Sequence, residues 1–228
     1  RQIISSNLSM QKVLKIGVAG NDDEIQSAYS AHFGNYFKTT YFMSVVSLLA
    51  ALEKKDVELG FIDILISDND IINIAGTKTK VIHTPGHTLG HVCFYMENEK
   101  CLFSGDTLFF LGCGRVFEGT MDQMWSSLVK LRSLPNDTLV YCGHEYTYSN
   151  AKFAKHIDPN NQLLEETIIE INNKRRGGLP TIPFELGKEK IINPFLRADD
   201  QNLIDNFSLK TSNPSEYFST MRLKKDNF

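Results

Sequence analysis

The chain has 228 residues, 42% of them hydrophobic, and a formal charge of −3. That is enough apolar material for one or two cores, and the balance gives no reason to invoke nucleic acid or a membrane surface. No apolar run approaches the roughly 18 residues that span a bilayer, and the first ten residues lack the apolar stretch of a secretory signal.

The predicted elements begin with an apolar strand over residues 13–19, ending at Gly20. Asn21-Asp-Asp-Glu24 places negative charge where a helix opens. Ile25, Ala28, Tyr29 and Phe33 then share one helical face, and Gly34 can cap its end. A second strand near 38–42 leads to Ser44, the cap of a helix reaching Lys54 or Lys55, and 59–66 reads as a third strand. This β-α-β-α-β order predicts a small parallel sheet with right-handed crossovers over residues 1–67.

From Asp68 the pattern changes to paired strands over 71–84 with a turn at Gly76, then a hairpin of 91–96 and 100–104. Thr120 and Gln123 form a capping box ahead of Met121, Met124, Trp125, Leu128 and Leu131, an amphipathic helix that stops before Pro135. A strand over 138–142 follows. Helices are expected over 150–156 and 162–174, before Arg175-Arg-Gly-Gly178 opens a Pro-punctuated loop. Four cysteines (Cys93, Cys101, Cys113, Cys142) without a Cys-x-x-Cys pair read as reduced thiols, small buried groups of a cytoplasmic protein.

Three blocks carry chemistry: Thr84-Pro-Gly-His-Thr-Leu-Gly-His91, Phe103-Ser-Gly-Asp-Thr-Leu-Phe109 and Tyr141-Cys-Gly-His-Glu-Tyr146. Each sets one metal-ligand type (His87, Asp106 or His144) beside glycines at a strand end, where a bend can turn it inward. Taken singly, His87 can be a turn histidine and Asp106 a turn cap. Three such blocks in order point to a metal site. His83, His91 and His156 read as structural.

These blocks, with Gly112-Cys-Gly-Arg-Val-Phe-Glu-Gly119, Asn193-Pro-Phe-Leu-Arg197 and the ending Met221-Arg-Leu-Lys-Lys-Asp-Asn-Phe228, resemble hydroxyacylglutathione hydrolase (glyoxalase II), of the metallo-β-lactamase superfamily. The resemblance runs over residues 68–228. It implies an α/β fold: the second half of an αββα sandwich over 68–155 and a helical substrate-binding segment over 156–228. It further implies hydrolysis of an S-(2-hydroxyacyl)glutathione, such as S-lactoylglutathione, to a hydroxy acid and glutathione. Zinc, or iron or manganese, is the implied cofactor, held as two ions in intact members. His87, Asp106 and His144 are the implied ligands, with Asp106 bridging the ions and holding the attacking hydroxide. Arg115, Phe117, Tyr146 and Arg197 fall where the family contacts glutathione, Arg197 facing its glycine carboxylate. Phe117 lacks the hydroxyl of a tyrosine. Without the motif, Arg115 and Arg197 read as surface charges.

The family also opens its metal site with a Thr-His-x-His-x-Asp-His block. None of the six histidines here stands in a His-x-His pair, and no Asp-His dipeptide occurs. The expectation is therefore a hydrolase by descent holding one ion or none, its activity reduced or lost. The alternative is an inactive fusion or gene-decay product, at most a glutathione- or metabolite-binding module. Residues 12–66 resemble the start of prephenate dehydratase, through Gly17 to Gly20, Phe33-Gly34 and Ala50-Ala-Leu-Glu-Lys54 before Leu59-Gly-Phe61. That family's catalytic threonine segment is absent, which argues against dehydratase activity.

Overall fold

The computed structural model describes residues 15–19, 38–42, 59–62, 66–74, 76–206 and 213–228. The chain divides into two compact units, residues 1–65 and 66–228. In the first, β1 (Lys15–Ala19), β2 (Lys38–Phe42) and β3 (Leu59–Ile62) form a parallel sheet in the order β2-β1-β3. The helices expected from Asn21 and Ser44, and His32, lie outside the described residues.

The second unit is built on β4 (Ile71–Ile74), β5 (Thr77–His83), β6 (Val92–Met96), β7 (Cys101–Gly105), β10 (Leu139–Cys142) and β11 (Phe184–Glu185). Their order is β11-β10-β7-β6-β5-β4. Only β7 and β10 pair in parallel; the other neighbours are antiparallel. Two antiparallel steps separate β5 from β7, so β5, β7 and β10 all run the same way. Their C-terminal ends therefore share one edge of the sheet, and each of the three motif blocks begins there. A register shift at Tyr141 and Cys142 sets Cys142 opposite Gly105, and the Gly143 N–H donates to the Gly105 carbonyl at 2.8 Å. Two parallel strands are thus locked side by side just before Asp106 and His144 leave them.

One face of this sheet is covered by α1 (Met121–Arg132). Thr120 accepts from the Gln123 N–H and the Gln123 side chain returns the bond, completing the predicted capping box. Met124, Leu128 and Leu131 lie on one face and are fully buried with Leu102 and Val140. Each such side chain contributes about 1.5–3 kcal/mol relative to exposure.

The helical segment comprises α2 (Thr147–Ile157), α3 (Gln162–Arg176), α4 (Leu186–Ile192), a 3-10 turn (Pro194–Leu196), α5 (Gln201–Asn206) and α6 (Pro214–Asp226). Phe153 stacks on Phe195 at 5.7 Å, and Phe195 meets Phe218 edge-on at 6.1 Å. These rings belong to the same buried cluster as Leu102 and Leu128, so the sandwich half and the helical segment share one core. Among the described residues no helix is long and apolar enough to cross a membrane.

Candidate metal centre and its cleft

Asp106 sits between two imidazoles. His87 Nε2 lies 3.6 Å from its Oδ2 and His144 Nε2 3.5 Å from its Oδ1. These separations exceed a good hydrogen bond. They match donors that share a cation, since two ligands about 2.1 Å from one tetrahedral ion stand roughly 3.4 Å apart. Asp106 Oδ1 is buried and has no hydrogen-bond partner. The His87 Nδ1–H donates to the Arg115 carbonyl at 2.9 Å, which leaves the Nε2 lone pair facing Asp106. A backbone carbonyl on the far ring nitrogen is the usual way a metal-binding histidine is aimed.

The glycines of these blocks serve close approach. A Cβ at Gly143 would come within 2.8 Å of Asp106 Oδ1, and one at Gly114 within 1.9 Å of the Asp106 carbonyl oxygen. The loop carrying His87 is fastened to the following segment: the Phe117 and Glu118 N–H groups donate to the His87 carbonyl, and Glu118 accepts from the Leu89 N–H.

Among the described residues, no group of three or more His, Cys, Asp or Glu side chains is arranged to hold a single ion. His87 and His144 stand on either side of Asp106, each facing a different carboxylate oxygen.

Around them lies a cleft of about 600 Å³, lined by His87, Asp106, Phe109, Arg115, Phe117, His144, Tyr146, Asn150, Arg222 and Lys225 among others. Tyr146 stacks on His144 at 5.1 Å, and Phe117 lies 5.0 Å from His87. Three of the four residues assigned to substrate, Arg115, Phe117 and Tyr146, line this cleft.

The fourth does not. Arg197 is absent from the lining, and its guanidinium is taken up by Asp158 (Nη1, 2.6 Å) and Asp200 (Nε, 3.1 Å; Nη2, 2.6 Å). This corrects the expectation that Arg197 faces the cleft beside Tyr146. A mostly buried arginine takes the nearest carboxylates, and here they join the 3-10 turn to the end of α2.

The cations that the sequence reading missed are Arg222 and Lys225 on α6. They are three residues apart and so share a helix face, the one signal that could have found them. The Arg222 Nη1–H donates to the Cys113 carbonyl at 2.9 Å, and its Nη2 pairs with Asp226 at 3.0 Å. The Lys225 ammonium donates to the Ser149 carbonyl at 2.9 Å. Burial, with help from neighbouring Arg222 and Arg115, lowers the Lys225 pKa to about 8. Burial pushes both Cys93 and Cys142 up to about 11, so neither thiol competes as a nucleophile at neutral pH.

Residues 20–144 match the family model described as Metallo-beta-lactamase superfamily, which is the class that the strand-end donors and the sheet define. Residues 145–228 match Hydroxyacylglutathione hydrolase C-terminus. The chain belongs to the hydroxyacylglutathione hydrolase family. It is 48% identical over 167 residues to "Hydroxyacylglutathione hydrolase" of Rhodospirillum rubrum, covering 73% of this chain and 65% of that protein. To the protein of the same name from Nitrobacter winogradskyi it is 42% identical over 200 residues, covering 87% and 77%. The chain thus spans about 65% of the length of the first curated relatives it matches. Among solved structures, ETHE1 from Myxococcus xanthus is similar at 18% identity and a TM-score of 0.45, over 91% of this chain and 86% of that one. The superfamily match begins at residue 20 and so runs through most of residues 12–66.

Proposed function

We propose that this cleft is the substrate site of a hydroxyacylglutathione thioester hydrolase whose turnover is reduced by the lack of a His-x-His-x-Asp-His block. The observation that carries the reading is Asp106, set between His87 and His144 at a cleft that Arg115, Arg222 and Lys225 line with positive charge. Zinc, iron or manganese would be held through His87 Nε2, the Asp106 carboxylate and His144 Nε2, the two histidines facing different oxygens of Asp106. When bound, such an ion lowers the pKa of water from about 15.7 to about 7 and polarises a carbonyl.

The chain's own groups bind and orient the thioester. Glutathione carries two carboxylates, and the guanidinium and ammonium groups of Arg115, Arg222 and Lys225 suit them. The Tyr146 hydroxyl supplies a polar contact beside His144. Phe109 and Phe117 give apolar walls that exclude water near Asp106. The incomplete donor set favours a second reading, in which glutathione binds with no turnover.

One experiment separates the two. Metal content is measured on the purified chain, and S-lactoylglutathione hydrolysis is followed with and without chelator, beside an intact family member. Slow, chelator-sensitive turnover supports the hydrolase reading; glutathione binding without turnover supports the second. Full-speed turnover would overturn the expected impairment and show that three ligands suffice.

A further inference from the structure

The hairpin that carries one wall of the cleft is held by side chains far away in sequence. β8 (Leu108–Phe109) and β9 (Gly112–Cys113) pair as a two-stranded ribbon closed by Phe110 and Leu111. Leu111 has φ +58°, a conformation costly for a branched side chain, so the surroundings must impose it. The Leu111 N–H donates to Glu189 Oε2 at 2.9 Å. Asn193 Nδ2 donates to the same oxygen at 2.8 Å, to the Gly112 carbonyl at 3.1 Å and to the Phe109 carbonyl at 3.4 Å. Asn150 Nδ2 takes the Phe110 carbonyl at 3.0 Å. Glu189 and Asn193 are both fully buried.

We infer that Glu189 is a positioning residue of the cleft, its carboxyl holding the 108–113 hairpin, with Asn193, in the shape that presents Phe109 and Arg115. The carboxyl does this in its neutral form. Oε1 is buried with no hydrogen-bond partner, so an ionised group would keep an uncompensated charge in the core. Burial accordingly pushes the Glu189 carboxyl up to about 8, against the Asn193 and Leu111 donors and the charge of Lys188. Lys188 is paired with Glu170 on α3, Glu185 on β11 is exposed, and the Cys142 thiol on β10 is neutral in this range. Lys190, on the same helix, reaches the Leu134 carbonyl and Asn136. None of these supplies a hydrogen-bonded counter-ion to Glu189. Ionisation therefore strains the clamp, and the hairpin opens as pH rises. The inference rests on the reading of the cleft as a substrate site only for its effect on binding.

The test follows amide hydrogen exchange at Leu111 and Gly112 between pH 6 and 9.5, corrected for the intrinsic rate, in the full chain and in Glu189→Gln. The amide keeps an acceptor for both donors and cannot ionise. The native chain should lose protection by up to roughly tenfold per pH unit as pH rises from 6 towards about 8, and level off above it. Glu189→Gln should stay flat, while Glu189→Leu should lack that protection at every pH. Protection in the native chain that is unchanged through pH 9.5, or an equal loss in Glu189→Gln, overturns the inference. The native titration alone decides if the variants do not fold. Glutathione affinity, measured in parallel, should weaken over the same range more steeply in the native chain than in Glu189→Gln, which keeps only the Lys225 dependence. Absence of glutathione binding at every pH, with the exchange result as expected, counts against the substrate reading and leaves this one standing.

Discussion

His91 Nε2 accepts the backbone N–H of Asp106 at 3.1 Å, joining the end of the first motif block to the centre of the second. Because Nε2 is the acceptor, the ring proton sits on Nδ1, which lies 3.0 Å from both the Thr84 and the Thr107 hydroxyl. Thr107 in turn donates to Thr84 at 3.0 Å. The second histidine of the block thus places the carboxylate rather than binding anything itself. Replacing it, as in His91→Ala, leaves the Asp106 N–H and two buried hydroxyls short of a partner. It should cost about 1–3 kcal/mol of stability in urea unfolding, and zinc affinity by calorimetry should fall with it. Unchanged zinc affinity would separate His91 from the site.

Arg197 should behave as a structural residue. Its side chain and that of Asp158 are mostly buried, at 17% and 12% exposure, so removing the cation strands two carboxylates. Arg197→Ala should destabilise the fold by about 3 kcal/mol. Below its unfolding midpoint, glutathione affinity should remain that of the native chain. A selective loss of affinity with unchanged stability would restore the expectation that the structure corrects.

Lys225 should give glutathione binding a pH dependence. Its folded pKa of about 8 lies below that of a free lysine, so the cation is present below pH 8 and lost as pH rises through it. The half of the affinity profile that depends on this charge should disappear in Lys225→Gln, with a loss of about 1–2 kcal/mol at pH 7. Titration calorimetry at pH 6.5 and 9 tests both points.

Phe117 is 68% exposed and faces His87 across the cleft. Phe117→Tyr adds a hydroxyl at the position where the resemblance implies a glutathione contact. It should raise affinity by about 1 kcal/mol and leave the melting temperature within a degree or so, because an exposed edge carries little packing. An unchanged dissociation constant would show that this ring acts only as an apolar wall.

Stability itself should depend on pH through Glu189. Its folded pKa, about 8, is raised above the ordinary value of 4.5. The folded state therefore binds more protons than the unfolded chain between these values. This contribution is complete below about pH 4.5 and is lost as pH rises towards 8, at a slope on the order of 1.4 kcal/mol per pH unit. Denaturation midpoints at pH 5, 6.5 and 8 should fall in that order, and the fall should be shallower in Glu189→Gln. Equal slopes in the two chains would assign the effect to other groups.

Much of the site was legible because its signals are local. A ligand beside a glycine at a strand end, a capping box four residues long and an apolar face at helical spacing each depend on neighbours within about two turns of helix. His87, Asp106 and His144 are readable as donor types on that scale, whereas Arg115, Phe117 and Tyr146 come from the family resemblance. α1 and the β6–β7 hairpin are readable from local signals as well, displaced by no more than a residue. The family was legible too, since its blocks are contiguous.

What the tertiary structure decided lies between residues far apart in the chain. Arg222 meets the Cys113 carbonyl across 109 positions, and Glu189 meets the Leu111 N–H across 78. No periodicity records such a pairing. A buried guanidinium or carboxyl takes whichever partner the packed helices bring within hydrogen-bond reach, because an unpaired one costs several kcal/mol. By itself, the sequence determined which side chains could carry the chemistry. The fold decided which arginine lines the cleft: Arg197 is drawn to Asp158 and Asp200, while α6 delivers Arg222 and Lys225.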